Sequence, residues 1–291
     1  MAVSPDAQPL EELESLAVEV ALEAARLIVD ERPAGLGVAH TKSSATDVVT
    51  VMDQRAQDLI RGRLSLARPG DGFYGEEEGG SEAASEVTWV VDPIDGTVNY
   101  LYTIPAYAVS VAAVVGNPRV PGEWEPVAGA VVDPERGRVF RARRGGGSWL
   151  EGPGGEAARL GTSGAADLSQ ALVGTGFGYE AGTRLWQTRV LAEVIPHIRD
   201  IRRFGSAALD LCHVAEGTLD AYFERGLNPW DMAAAALVVT EAGGVVSGLG
   251  GEPPSASMVL AAPAGLHPVL DGRVAAGVRA ADAAGRLGAG A

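Results

Sequence analysis

The chain has 291 residues, 46% of them apolar, and carries 38 acidic against 23 basic side chains for a formal net charge of −15. That apolar content belongs to globular chains and excludes a disordered one, and the length suits one large or two small domains. The acidic balance opposes direct binding of nucleic acid, whose phosphates are held through Lys and Arg, and a single cysteine, Cys212, excludes an intrachain disulfide.

Residues 1–16 are acidic and lack the basic and apolar regions of a signal peptide. The longest apolar runs, such as 106–115, are too short to span a bilayer. A cytoplasmic protein without a membrane segment is expected. From Leu10 to Ile28 apolar residues recur every three or four positions, with Glu11, Glu12, Glu14, Glu19 and Glu23 on the other face, which predicts an amphipathic helix. Lys42 is the sole lysine; in a chain that otherwise uses arginine, its retention points to a need for lysine. Thr50 and Asp53 have the spacing of a capping box and open a second helix that runs through Leu64 and stops before Pro69. Short apolar stretches at 88–91, 106–115, 127–132 and 138–142, punctuated by Gly, Pro and Asn, predict an antiparallel meander. Residues 145–167 are rich in Gly, Ala and Ser and are the expected boundary, dividing the chain into 1–150 and 151–291. Beyond it, strand patterns (171–175, 200–204, 219–224, 257–261) alternate with helical ones (184–195, 206–216, 229–242), as in an α/β half.

The stretch Trp89-Val90-Val91-Asp92-Pro93-Ile94-Asp95-Gly96-Thr97 carries the most chemistry. An apolar strand delivers two carboxylates into a turn fixed by Pro93 and freed by Gly96, and oxygen ligands on a rigid turn suit hard divalent cations such as Mg²⁺. If Gly96 and Thr97 open a helix, their N–H groups also suit a phosphate oxygen. An isolated D-x-x-D serves equally well to cap a turn. Glu76 after a strand at 72–74 is compatible with a solvated acidic loop, and Asp231 in Asn228-Pro229-Trp230-Asp231 with a helix start. Their occurrence together in one chain is what calls for a common cause.

In chain order, residues 42–50 followed by Asp53, Gly75-Glu76-Glu77, Trp89 to Tyr100, Gly205-Ser206-Ala207-Ala208, and Trp230-Asp231 running to Glu241-Ala242-Gly243-Gly244 make the sequence resemble the inositol monophosphatases of the lithium-sensitive, magnesium-dependent phosphatase superfamily. The resemblance implies a layered αβαβα sandwich of α+β and α/β halves, a homodimer, and a Mg²⁺-dependent phosphomonoesterase acting on myo-inositol monophosphate. It implies that Glu76, Asp92 and the Ile94 carbonyl hold one Mg²⁺, that Asp92, Asp95 and Asp231 hold a second, and that a third, weaker ion binds near Glu76. It further implies that Thr97, fixed by Asp53, orients the attacking water with Glu76. Gly96 and Thr97 would hold the phosphate, Gly205, Ser206, Ala207 and Glu224 would line the sugar or cyclitol side with Asp95 also touching a hydroxyl, and Ile94 and Asp231 would count among the substrate-binding residues. The run Met232-Ala233-Ala234-Ala235-Ala236 departs from relatives that carry a glycine there, a small change that raises helix propensity.

Other chemistries lack their residues. There is no Gly-Lys-Ser/Thr for a P-loop and no H-E-x-x-H for zinc, and Gly174-Thr175-Gly176-Phe177-Gly178 lacks dinucleotide spacing and reads as a strand-end turn. His213 reads as a packed structural histidine, and Trp230 and Phe204 as core or wall. Arg202-Arg203 reads either as a solvated strand end or as a reach toward a substrate edge. A small residue and a carboxylate at Ser206, Ala207 and Glu224 favour a neutral, hydroxyl-rich ring, with histidinol phosphate, fructose 1,6-bisphosphate and 3′-phosphoadenosine 5′-phosphate as alternatives within the superfamily. A transcription-associated binding protein is the alternative of another class.

Overall fold

A computed structural model describes residues 10–41 and 48–288, which leaves Lys42 and the neighbouring 43–47 outside the described residues. The first helix, α1 (Leu10–Asp30), forms as its spacing predicts: Leu13, Ala17, Val20, Ala21, Ala24 and Ile28 are all buried. One glutamate expected on its outer face is not there. Glu14 is 3% exposed, held 2.8 Å from Arg141 Nη1 and paired also with Arg143. Paired cations replace the hydration that a buried carboxylate loses, so charge pairing overrides the simple assignment of acids to solvent.

β1 (His40–Thr41) and β2 (Val48–Val49) pair antiparallel ahead of α2 (Val51–Ala67). The T-x-x-D capping box forms: the Met52 N–H donates to Thr50 Oγ1 at 3.1 Å and the Thr50 N–H to Asp53 Oδ2 at 2.8 Å. Next come β3 (Gly72–Gly75), β4 (Val87–Asp95), the short α3 (Thr97–Leu101), β5 (Ala108–Gly116), β6 (Trp124–Asp133), β7 (Arg138–Arg143), β8 (Gly147–Glu151) and β9 (Ala157–Arg159). These strands form one seven-stranded sheet in chain order. It is the expected meander from β4 onward, while β3 joins β4 in parallel. The Gly-rich segment 145–167 is not all connection: its glycines turn β7 into β8, with the Gly146 N–H donating to the Arg143 carbonyl at 2.9 Å, and the sheet continues to Arg159.

The second half runs β10 (Leu172–Thr175), α4 (Ala181–Val194), β11 (Asp200–Arg202), α5 (Ala207–Glu216), β12 (Ala221–Glu224), α6 (Pro229–Glu241), β13 (Gly244–Ser247), β14 (Val259–Pro263) and α7 (His267–Gly288). Its sheet has the order β11-β10-β12-β14-β13, with β11, β10 and β12 parallel and β14 antiparallel to both neighbours. Three apolar cores bind the layers. α1 and α2 pack on one face of the large sheet through Trp89 and Val91; α5 and α6 lie between the two sheets, meeting Val90 on one side and Tyr222 on the other; α4 and α7 cover the small sheet. The result is the αβαβα order. β4 is buried on both faces, which explains its unbroken apolar run.

The approach of α6 to the large sheet is set by small residues. A Cβ at Gly129 of β6 would lie 3.0 Å from the Val111 carbonyl and 3.2 Å from Ala234, so a larger residue there would force the helix or the strand to give by a few tenths of an ångström. No helix among the described residues is long and apolar enough to cross a membrane. Replacing Glu14 by Ala removes the buried carboxylate that Arg141 and Arg143 share at the α1–sheet contact, leaving Arg141 with Glu151 and Arg143 with Glu11. Urea unfolding is expected to show a loss of about 2 to 4 kcal/mol, and a loss below about 0.5 kcal/mol would show that the pairing contributes nothing.

Candidate active site

The carboxylates converge where the parallel strands β3 and β4 end. Asp92 pairs with Ser110 and Asp95 with Ala108, so three residues on β4 span the distance of two on β5. Residues three apart in a regular strand point to opposite faces; this bulge turns both aspartates to the α6 side. Pro93, which has no N–H to give a ladder, sits within the irregularity. α6 then delivers Asp231 from its first turn, and a carboxylate oxygen of each of Asp92, Asp95 and Asp231 lies within 4.8 Å of the others.

Each aspartate is fixed by its own surroundings. Asp92 Oδ1 accepts from the Ile94 N–H at 3.0 Å, and Asp231 Oδ2 from the Asn228 N–H at 2.6 Å. Asp95 Oδ2 accepts from Ser206 Oγ at 2.6 Å and from the Ala208 N–H at 2.7 Å, at the N-terminal end of α5 where the helix dipole favours negative charge. Glu76 follows β3, anchored by its N–H to the Val91 carbonyl at 3.1 Å, and its side chain hydrogen-bonds Asp92. Asp53 stands behind: the Thr97 hydroxyl lies 3.0 Å from both Asp53 Oδ1 and the Ile94 carbonyl. Asp53 thus caps α2 with one oxygen and reaches Thr97 with the other.

Burial and mutual repulsion dominate the electrostatics. Burial first, then the charges of Glu76, Asp95 and Asp231, hold Asp92 well above the usual carboxylate range. Asp231 is raised in the same way, by burial and then by Glu76 and Asp95. Burial raises Asp95 and Asp53 to about 6 against the hydrogen bonds that favour their charged forms. Such a set of oxygen donors, with no nitrogen or sulfur among them, fits a hard divalent cation, which relieves the repulsion that the chain itself builds in.

A cavity of about 360 Å³ opens over these groups. Glu76, Asp92, Ile94, Asp95, Gly96 and Thr97 line one side, with Asp231, Gly205, Ala207 and Glu224 facing them. Gly96 takes a left-handed φ of +97°, and a Cβ there would lie 3.0 Å from the carbonyls of Ala106 and Gly205, so the turn at the cavity floor requires glycine twice over. Ser206 is absent from the lining; its hydroxyl holds Asp95 instead. Burial lifts Glu224 to about 7, and its carboxylate accepts from the Tyr222 hydroxyl.

Other residues show what the sequence reading missed. Gln57 of α2 is fully buried and clamps the acidic loop, accepting from the Glu77 N–H and donating to the Glu78 carbonyl, both at 2.9 Å. Asp210 on α5 is buried with its Oδ1 lacking a hydrogen-bond partner among the described residues, and burial together with Glu224 and Asp95 raises it well above its ordinary value. Gly176 and Tyr179, at the turn that follows β10, line the cavity. The Arg202-Arg203 pair splits: Arg202 binds Asp200 at 2.7 Å, whereas Arg203 lines the cavity. His213 is packed away from the site, lowered to about 4 chiefly by burial, and Trp230 stands edge-on to Tyr74. Phe204, read as core or wall, is 38% exposed and rests edge-on against His213.

Five alternating layers with an all-carboxylate centre where β4, α5 and α6 meet suit the class of metal-assisted hydrolases. The model of the inositol monophosphatase family matches residues 9–283. The inositol-1-monophosphatase SuhB of Mycobacterium tuberculosis is 47% identical over 253 residues, covering 82% of this chain and 84% of the relative. The solved structure of M. tuberculosis SuhB superposes with a TM-score of 0.77 at 43% identity, covering 94% of this chain and 98% of that one. More distantly, the Nus factor SuhB of Escherichia coli K12 is 37% identical over 237 residues, 80% of this chain and 84% of the relative. The chain belongs to the inositol monophosphatase family and is a phosphatase.

The raised carboxyls have a thermodynamic consequence in chelator. Asp53 and Asp95 bind a proton more tightly folded than unfolded, so their contribution to stability is present below about 4 and is lost as pH rises toward about 6. Without divalent cation, Tm is expected to fall across that interval, and millimolar Mg²⁺ at pH 7 to restore it by mass action. A flat melting profile in chelator together with no response to Mg²⁺ would be incompatible with this centre.

Proposed function

We propose that the chain is a Mg²⁺-dependent phosphomonoesterase of small polyol phosphates, with myo-inositol monophosphate as the substrate. The convergence of Asp92, Asp95 and Asp231 within 4.8 Å, in a cavity shared with Glu76, carries the reading. Glu76, Asp92 and the Ile94 carbonyl would hold one Mg²⁺, and Asp92, Asp95 and Asp231 a second, with room for a third beside Glu76. When bound, Mg²⁺ supplies Lewis acidity toward phosphate oxygens and acidifies water.

The remaining steps belong to the chain. The Thr97 hydroxyl donates to Asp53, leaving its lone pairs to accept a hydrogen from the attacking water, while Glu76 takes the proton. Gly96 and Thr97 bring their backbone N–H groups to the phosphate. On the leaving-group side, Asp95 and Glu224 receive ring hydroxyls, Gly205 and Ala207 leave space for the ring, and Ser206 serves by holding Asp95. No serine, cysteine or histidine nucleophile is required.

The same reading places the enzyme in the cytoplasm, makes it sensitive to Li⁺, and assembles it as a homodimer. Support for the dimer comes from exposed Tyr102, Ile104 and Phe204, the last two tied together by Asn99: its carbonyl accepts from the Ile104 N–H at 2.9 Å and its Nδ2 donates to the Phe204 carbonyl at 2.7 Å. The net charge of −15 opposes a directly RNA-binding protein.

Phosphate release is expected from inositol 1-phosphate, with Mg²⁺ and not with chelator, ahead of histidinol phosphate, fructose 1,6-bisphosphate and 3′-phosphoadenosine 5′-phosphate. Asp92→Asn should lower kcat by at least roughly a hundredfold with an unchanged circular dichroism spectrum, since it removes charge from the bridging position. Release that persists in chelator, or near-normal turnover by the variant, would overturn the assignment. Sedimentation should give twice the chain mass, with Ile104→Asp shifting it to a monomer, and RNA mobility at low salt should be unaffected by excess protein; a monomeric unmodified chain or a retarded RNA would contradict these points.

A further inference from the structure

Glu76 follows the least supported strand of the large sheet. β3 is four residues long, lies at the sheet edge and pairs with β4 alone, apart from a single bridge between Phe73 and Ser81. Asp231 stands in the first turn of α6, at the end of an element rather than within it.

Two aromatic rings join these ends. Tyr74 lies two residues before Glu76 and Trp230 one residue before Asp231, and their rings meet edge-on with 5.1 Å between centroids and 68° between planes, a geometry in which such pairs attract. Side chains alternate along a strand, so Phe73 enters the core beneath α1 and α2 while Tyr74 packs on the α6 side. Trp230 is a wall of the cavity, and its carbonyl accepts at 3.3 Å from the hydroxyl of Ser110, the residue paired with Asp92.

The outer end of this stack is a cation. Arg119, in the turn between β5 and β6, places its guanidinium 4.4 Å from the Tyr74 centroid. It forms no ion pair among the described residues, so the ring is its partner. The turn that carries it is held in its own right: the Arg119 N–H donates to Asn117 Oδ1 at 3.1 Å and the Asn117 N–H to the Glu123 carbonyl at 2.9 Å, and a Cβ at Gly122 would lie 2.9 Å from the Pro253 ring.

We propose that Arg119 is a positioning residue for the divalent cation: through Tyr74 and Trp230 it fixes the end of β3 against the first turn of α6, and so holds Glu76 in place relative to Asp231. This rests on the reading of the carboxylate centre as a Mg²⁺ site. Glu76 and Asp231 repel one another, so without the stack the cation-free protein gains by letting them separate, and a cation must draw them back. A site held ready avoids that cost. The sign of the effect is diagnostic. An arginine acting only as a nearby positive charge would oppose cation binding, and its removal would tighten it; an arginine acting through the stack does the reverse.

The test titrates the full-length chain with Mn²⁺, a hard-ion stand-in for Mg²⁺, and reads the free ion by electron paramagnetic resonance. Arg119→Gln is expected to raise the dissociation constant by roughly three- to fivefold, the size of an exposed cation–π contact. The Mg²⁺ concentration for half-maximal phosphate release should rise by a similar factor, with kcat at saturating Mg²⁺ unchanged. Arg119→Lys keeps a cation over the ring and should restore most of the affinity, and Tyr74→Phe keeps the ring and should bind as the unmodified chain does. Tyr74→Leu should weaken binding at least as much as Arg119→Gln, and adding Arg119→Gln to it should change nothing more, because the arginine has already lost its target. Unchanged or tighter Mn²⁺ binding in Arg119→Gln, no rescue by Arg119→Lys, or additive losses in the double variant would overturn the proposal. Failure of the unmodified chain to bind Mn²⁺ would instead overturn the metal-site reading, and the proposal with it.

Discussion

The single extra residue between Asp92 and Asp95 is the constraint on which the centre depends. Val90 and Asp92 share the face of β4 that meets α6, and a regular strand would send Asp95 to the opposite face, into the apolar core beneath α1 and α2. The bulge against Ser110 and Ala108 keeps Asp95 beside Asp92. It also brings Gly96 and Thr97 round in a left-handed turn, so that Thr97 meets Asp53 of α2 from behind. The placing of Asp95 beside Asp92 and of Thr97 beside Asp53 is therefore the consequence of one backbone irregularity, which Pro93 helps to define.

The third aspartate arrives by a different route. Asp231 is placed by how near α6 can come to the large sheet, and that distance is governed by Gly129 facing Ala234. A larger side chain at either position would push the helix outward and carry Asp231 away from the other two. The alanine run after Asp231 is thus a packing requirement whose effect is felt at the helix end. Likewise the N-terminal end of α5, through Ser206 and the Ala208 N–H, holds Asp95 in the orientation that faces the cluster. The layers of the fold meet at the centre because each contributes one end of an element to it.

Much of this was legible in the sequence where short-range rules apply. The periodicity of α1, the Thr50–Asp53 box, the meander and the Asn228-Pro229 helix start all depend on neighbours in the chain, and all formed. What failed depended on partners far away. Glu14 looked solvent-facing because Arg141 and Arg143 lie more than a hundred residues on, and Ser206 looked like a substrate contact because its bond to Asp95 spans the two halves. Gln57 carried no signal at all, since an ordinary helical glutamine gives no hint that it will clamp the Glu77–Glu78 backbone. The division of Arg202 from Arg203 is a matter of strand direction: adjacent side chains of an extended segment point opposite ways, and only one can reach the cavity. The glycines after β7 resembled a linker because a hairpin turn and a connection draw on the same residues.

The centre also exacts a cost from the fold that carries it. Asp92 and Asp95 are buried and Asp231 half-buried beside one another and beside Glu76, and burial with their mutual charges pushes all three carboxyls above the usual range. A cation bound there would compete with protons, which would couple its affinity to pH and make the bound state more stable than the free one. Such a strained arrangement persists only if the surroundings are rigid enough not to relax away from it. The dense apolar packing on both faces of β4 provides that rigidity, with Trp89 and Val91 locked on one side and Val90 on the other. A looser core would let the aspartates separate, lower their mutual repulsion and, by the same movement, dissolve the geometry that a divalent ion requires.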